Sequence, residues 1–337
     1  MDFSGGRRQG SSSSSPKGTD PRNSAALSTV LRGKLTAYMS VTVSVLASGS
    51  RGNCALVATS STRILVDAGL SGRETFKRLR TLGERSEDIT AILITHEHSD
   101  HVAGLYRLAT RLNVPVFITA QTHCAWKRAA SDAIRNSLRN ASSDDSTTTP
   151  ALPIPDLPQC ELPKAELPKV ELPKKEHFCA GRGFCIGDIE VMPFTIPHDA
   201  VDPVGFTFRA EGVKIGFATD LGYMPVSVRN HLRGCSVLVM ESNHDVEMLR
   251  SGPYPWSVKQ RVMSRVGHLS NDALAEFFSS DYDGGAEYLV LAHLSEQNNH
   301  PEIARAAAEH ALGGRQGLWQ NRLLLASQTQ ALEPIRL

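Results

Sequence analysis

The 337 residues carry 36 Lys plus Arg against 35 Asp plus Glu, with 41% hydrophobic residues and a formal net charge of +1. A chain this close to neutral is not built to coat nucleic acid through a general electrostatic field, and it holds no apolar run of about 18 residues, so no membrane span is expected. Its six cysteines (54, 124, 160, 179, 185 and 235) show neither a paired metal spacing nor a disulfide framework, which reads as free thiols in a reducing, cytoplasmic compartment.

Residues 1–40 read as a disordered N-terminal extension. Within 1–38 there are six basic and two acidic side chains, net +4, and five serines run from 11 to 15. The segment faintly resembles a transit peptide, and Met39 is a possible alternative start. A single catalytic domain is expected over 41–320, followed by a C-terminal segment at 321–337. It opens with strands at 41–46, 54–59 and 63–66, separated by the Gly/Ser loop 48–53 and rich in β-branched residues. A helix follows over 71–83, with Ser71 as cap and Phe76, Leu79 and Leu82 on one face. A strand at 89–94, a helix at 101–112, a strand at 115–118 and a helix at 122–139 come next.

Residues 141–180 interrupt this pattern. Over 161–175 the chain repeats Glu-Leu-Pro-Lys three times, and the part from 141 to 176 has four basic and seven acidic side chains, net −3. Proline every five residues is incompatible with a helix or a central strand. A flexible surface insertion is expected here. Removing both biased segments leaves roughly 260 residues, ample for one core. Beyond the insertion, strands are expected at 184–186, 189–196, 205–210 and 213–218, the last two joined by Glu211-Gly212 as a hairpin. A helix at 225–233, a strand at 236–240, helices at 244–250, 256–265 and 271–279, a strand at 288–292 and a helix at 301–311 follow. Two blocks of strands, each followed by helices, fit two sheets packed face to face with helices outside.

The most informative run is Thr95-His96-Glu97-His98-Ser99-Asp100-His101, directly after an apolar strand. A rigid strand end followed by a tight loop can aim three imidazoles and a carboxylate into one pocket. Neutral imidazole and carboxylate suit zinc and similar divalent ions. Ligands one residue apart can share one metal, and the following Asp-His pair can reach a second. A water shared by two metals loses its proton near neutrality and supplies hydroxide for attack on phosphorus or carbonyl carbon.

This pattern resembles the signature of the metallo-β-lactamase-fold hydrolases. The wider chain, over 41–312 apart from the insertion, is similar to the WalJ/YycJ-type nucleases. The likeness rests on 48–53 (Ser-Gly-Ser-Arg-Gly-Asn), 66–72, the metal loop, 197–206, 218–222, 241–245, 267–271 and 292–295. It implies a four-layer αββα sandwich. It also implies that His96, His98 and His198 hold one metal, that Asp100, His101 and His293 hold another, and that Asp220 bridges both. Zn and Mn both fit such ligands. Asp67 reads as a carboxylate behind a ligating imidazole, or as a turn aspartate.

Glu241 ends a strand and His268 lies between helical segments, an arrangement similar to tRNase Z-like nucleases. The resemblance makes His268 the proton donor to the leaving group and Glu241 the residue that keeps it charged, with Asp100 also counted as catalytic. Alkoxide leaving groups need that proton more than thiolates do. The implied activity is therefore phosphodiester cleavage, as a 5′→3′ exonuclease on DNA. The β-CASP nucleases carry an extra domain between bridging Asp and last His; here 73 residues separate Asp220 from His293, too few to hold it. Ser50 and Asn53 in the Gly/Ser loop are candidate phosphate contacts, or part of a plain turn. Tyr254 and Trp256, with Lys259 and Arg261 nearby, offer a surface for stacking bases, or simply core packing. Two other classes compete: a small-molecule hydrolase of the same fold (a glyoxalase II-like thioesterase or a cyclic phosphodiesterase) and a non-catalytic binding protein.

Overall fold

Successive side chains of a strand point to opposite faces of its sheet, and here most strands are apolar on both. The computed structural model describes residues 41–143, 170–313 and 322–337. One sheet contains β1 (Thr42–Ala47), β2 (Cys54–Ala58), β3 (Arg63–Val66), β4 (Ala91–Leu93), β5 (Val116–Thr119) and β6 (Lys175–Phe178) in that order, with β14 (Ile335–Arg336) on the far side of β1. The other contains β7 (Phe184–Ile186), β8 (Ile189–Thr195), β9 (Val204–Ala210), β10 (Val213–Ala218), β11 (Val237–Glu241), β12 (Tyr288–Ala292) and β13 (Arg322–Leu325), also in order. The helices of the first half are α1 (Gly72–Thr81), α2 (Ser99–Val102), α3 (Leu105–Leu112) and α4 (Ala120–Ser143). Those of the second half are α5 (Val226–Leu232), α6 (Val246–Ser251), α7 (Trp256–Val262), α8 (Asn271–Ser280) and α9 (Pro301–Leu312).

Three apolar seams follow from the alternation. Val43, Val45, Phe206, Phe208, Val237, Val239 and Val290 join between the sheets. The opposite faces of β11 and β12 send Leu238, Met240, Leu289 and Leu291 toward Leu274 and Phe278 of α8 and Ala304 and Ala308 of α9. Leu56, Leu65 and Ile92 of the first sheet meet Leu79 of α1, Leu105 and Leu108 of α3, and Trp126 of α4. The result is the expected αββα sandwich. Strands buried on both faces are what parallel pairing under helices requires, and β3 to β6 and β10 to β13 are parallel runs. No helix among the described residues is long and apolar enough to cross a membrane.

Several expectations need correction. The helix expected over 101–112 is broken, because Gly104 donates its N–H to Ala68 O and the chain restarts at Leu105. A Cβ at Gly104 would lie 1.9 Å from Leu70 O and one at Gly69 1.7 Å from Asp100 O, so these glycines permit the close packing of the metal loop on 67–70. The helix expected to reach 265 stops at Val262. The insertion ends earlier than 180: Val170 and Leu172 are buried, and β6 pairs in parallel with β5. Beyond Pro173 the segment Lys-Lys-Glu-His-Phe has no proline, so its amides can join a ladder. The segment 321–337 is part of the fold, since β13 pairs with β12 and β14 with β1. The expectations for 1–40 and for 144–169 lie outside the described residues.

Candidate active site

The strands that supply the site deliver chemistry at their carboxyl ends, the position where open α/β sheets bind ligands; all of them belong to the parallel runs except β8, which pairs antiparallel with β7 and β9. Asp67 follows β3, His96 follows β4, His198 follows β8, Asp220 follows β10, Glu241 ends β11 and His293 follows β12. Asp67, Asp220 and His293 have positive φ (63°, 60° and 54°), a left-handed conformation that costs non-glycine residues of order 1–3 kcal/mol. Hydrogen bonds hold two of them there. The Asp67 carboxylate accepts from Thr95 N (2.9 Å) and Thr95 Oγ1 (3.0 Å). His293 donates its N–H to Ser48 Oγ (2.7 Å) and its carbonyl accepts from Asn243 Nδ2 (2.9 Å).

Seven of the predicted side chains form two adjoining sets. One ligand atom from each of His96, His98 and His198 lies within 4.8 Å of the others, and the same holds for Asp100, His101, Asp220 and His293. His98 Nδ1 and His198 Nε2 are 3.2 Å apart. His101 Nε2 stands 3.3 Å from Asp220 Oδ2 and 3.5 Å from Asp100 Oδ2, and His293 Nε2 stands 3.5 Å from Asp100 Oδ2. Tetrahedral ligands bound at about 2.0–2.2 Å are about 3.4 Å apart, so both sets have the span that a divalent ion needs.

The electrostatics ask for a cation as well. His96 Nε2 and Asp220 Oδ2 are buried with no hydrogen-bond partner among the described residues, an expense that a metal bond would remove. Burial, then neighbouring imidazoles, holds His96 well below the usual histidine range. For His101 and His293 burial is again the largest single influence and works the same way, but the surrounding carboxylates together outweigh it, Asp220 first with Asp67 and Asp100 at His101 and with Asp100 and Glu241 at His293, and both are raised. Asp220 itself is lowered well below the carboxylate range, burial being overcome by His293 and His101. The outer nitrogens are fixed: His101 donates through Nδ1 to Asp67 Oδ2 (2.8 Å) and His198 through Nδ1 to Gly267 O (3.1 Å). Each Nε2 is thereby left as the lone-pair nitrogen facing its set.

Glu241 is fully buried and accepts from Leu221 N (2.8 Å), Leu269 N (3.2 Å) and His268 Nδ1 (2.7 Å). Burial opposes a charge on His268, but the Glu241 carboxylate prevails and its pKa is raised. His268 lines a pocket of about 360 Å³ together with Asp100, Asp220, His293, Ser50 and Tyr254. Its Nε2 is the nitrogen left for a ligand there.

The substrate candidates divide. Ser50 and Tyr254 line that pocket, and Trp256 is 62% exposed rather than packed in the core. Asn53 is buried and cannot serve as a surface contact. Its amide exchanges hydrogen bonds with Gly49, and its Nδ2 reaches Asp100 Oδ2 at 3.1 Å, so it braces the metal loop. Lys259 is also buried, donating to Arg250 O (2.7 Å), and so contributes no surface charge near Trp256. Arg261 lines the pocket and is gripped by Asp199. An amide network escaped the sequence reading: Asn299 Nδ2 donates to Ser242 O, Asn243 O and Asn271 Oδ1, backing the segment that holds His293. The signal available was Asn243 inside the 241–245 motif.

Comparison with known proteins places the fold in a family. Residues 47–258 match the model of the metallo-beta-lactamase superfamily. The chain is 35% identical over 274 residues to an exodeoxyribonuclease YycJ of Bacillus anthracis, covering 81% of this chain and 90% of that one. It is 35% identical over 261 residues to the exodeoxyribonuclease WalJ of Streptococcus pneumoniae, covering 77% and 84%. Among solved structures, the metallo-beta-lactamase fold protein YhfI of Bacillus subtilis superposes with a TM-score of 0.55 at 14% identity, over 87% of this chain and 99% of that one, a likeness of fold. The chain belongs to the metallo-β-lactamase superfamily of metal-dependent hydrolases, in the branch of the YycJ and WalJ proteins.

Proposed function

We propose that this protein is a two-metal phosphodiesterase that cleaves nucleic acid, as a 5′→3′ exonuclease on DNA. The observation that carries the reading is the Glu241–His268 pair, bonded at 2.7 Å, in which buried Glu241 backs His268 on the wall of the pocket that both ligand sets reach. His96, His98 and His198 would hold one ion, Asp100, His101 and His293 the other, with Asp220 between them. When bound, divalent ions such as Zn or Mn polarise phosphoryl oxygens and acidify water. Asp67 orients the His101 ring from behind. Glu241 keeps His268 protonated, and His268 holds that proton at Nε2, where a departing sugar oxygen requires one. A thioester, with its good thiolate leaving group, has no use for such a pair. The exodeoxyribonuclease names of the similar bacterial proteins support DNA as the substrate. The free thiols among the described residues fit a reducing compartment such as the cytoplasm.

The test is digestion of single- and double-stranded DNA and RNA, labelled at either the 5′ or the 3′ end, after chelation and readdition of Mn or Zn. Metal-dependent release of mononucleotides from the 5′ end of DNA is expected. Release from the 3′ end would reverse the polarity. Turnover of thioesters with no cleavage of any nucleic acid would remove the nuclease reading.

A further inference from the structure

A groove of about 960 Å³ lies between α1, the turn Ser86–Asp88 and α3, outside the site described above. Its walls carry six cations, Arg73, Lys77, Arg80, Arg85, Arg107 and Arg111, against two carboxylates, Glu84 and Glu87. Since the whole chain is near neutral, this is a local concentration and not a general basic character. It follows from helical spacing. Arg73, Lys77 and Arg80 share one stripe of α1, and Arg107 and Arg111 share one of α3. All six side chains are exposed. Glu84 is already engaged by Arg63 at 3.0 Å. Arg73, Arg80, Arg107 and Arg111 have no ion pair among the described residues, and Arg111 lies over the Phe76 ring at 5.5 Å from its centroid.

Facing rows of like charge repel, and unpaired guanidiniums with their planar donor forks suit phosphate. An arginine stacked on an aromatic ring adds a surface against which a base can lie. The groove also starts beside the active-site loops: Ser71 closely follows Asp67, Arg107 closely follows His101, and Gly104 N–H to Ala68 O ties the two segments together. From there it follows α1, whose 10 residues extend about 15 Å.

Resting on the nuclease reading, we propose that this groove is a second nucleic-acid site, which holds the phosphate backbone of single-stranded DNA away from the bond being cleaved.

The test uses the metal-loaded protein, a fluorescent single-stranded DNA with phosphorothioate linkages, and the triple variant Arg73→Gln, Arg80→Gln, Arg107→Gln. Anisotropy is measured across a salt series, alongside hydrolysis of bis(nitrophenyl) phosphate, which is too small to span both sites. Loss of about three phosphate contacts, each about 0.7 in the log–log salt slope for single strands, lowers that slope by about 2. Between 50 and 200 mM salt the wild type should then lose about 20-fold more affinity than the variant. Bis(nitrophenyl) phosphate turnover should stay within about twofold, and the matching triple Lys variant, which restores the charges, should recover the salt slope. Equal affinity and slope in wild type and Gln variant would overturn the proposal while leaving the nuclease reading intact, as would a change in self-association with DNA binding unaltered. A wild type that neither binds nor cleaves DNA would remove the nuclease reading and this proposal with it.

Discussion

Replacing His268 with Ala separates phosphodiester chemistry with a poor leaving group from every other reaction this fold performs. His268 holds its Nδ1 proton against Glu241 Oε1 at 2.7 Å and lies outside the two sets assigned to the metals, although a ligand atom of His268 is also within 4.8 Å of ligand atoms of Asp220, Glu241 and His293, so the metal content of the variant has to be measured beside its activity. Removing a general acid costs 10²–10⁴-fold in rate, or about 2.7–5.4 kcal/mol of barrier at about 1.36 kcal/mol per tenfold. The fold should survive, because Glu241 keeps the N–H donors of Leu221 and Leu269. The loss of one partner from a buried carboxylate should cost about 1–3 kcal/mol of stability. The assay compares kcat/KM on a dinucleotide, whose leaving group is an alkoxide, with that on bis(nitrophenyl) phosphate, whose nitrophenolate leaves unaided. The expected loss is large on the first and small on the second, at unchanged metal content. Glu241→Gln should follow the same pattern more mildly. In the wild type, dinucleotide cleavage should fall as pH rises through the raised pKa of His268, since the acid form is then lost. Equal losses on the two substrates would refute the proton-donor role.

Other perturbations test the supports of the site. Asp67→Asn, which weakens the grip on His101 Nδ1, should lower metal affinity 10–100-fold; unchanged competition against a chelator would argue that Asp67 is only a turn residue. Asp220→Ala should lower occupancy of both proposed metals and abolish turnover, so full metal content with normal activity would remove its bridging role. Burial holds His244 down to about 4, against about 6.5 in the unfolded chain. The unfolded state therefore binds the extra proton, and the stability contributed by neutral His244 is present above about 6.5 and lost as pH falls toward 4, by about 3 kcal/mol at most. Urea midpoints across that window should fall less steeply in His244→Asn; parallel profiles would contradict this. Leu172→Ala should cost about 2–5 kcal/mol because Leu172 is buried against the first sheet's helices, and an unchanged urea midpoint would mean that this stretch is not part of the core.

The sequence by itself was enough for features whose cause is local. The strand and helix periods predict the two blocks of the sandwich, and four potential ligands within 96–101 stand out because they are neighbours in the chain. His198, Asp220 and His293 were legible only through their motifs, since nothing local says that three loops 22 and 73 residues apart meet. Tertiary structure alone decided the rest. The leucines at 323–325 show no alternation, and only pairing with β12 makes them a strand. Val170 and Leu172 looked like more of a proline repeat until the core received them. Asn53 and Lys259 read as surface polar groups, yet their partners Asp100 and Arg250 take them inside. The arginines of α1 and α3 are an ordinary solvated face on each helix taken singly. Their charge becomes a feature only where packing of Leu79, Leu105 and Leu108 on one sheet sets the two helices side by side. Side-chain period is written in the chain, whereas the identity of a distant partner depends on how the layers stack.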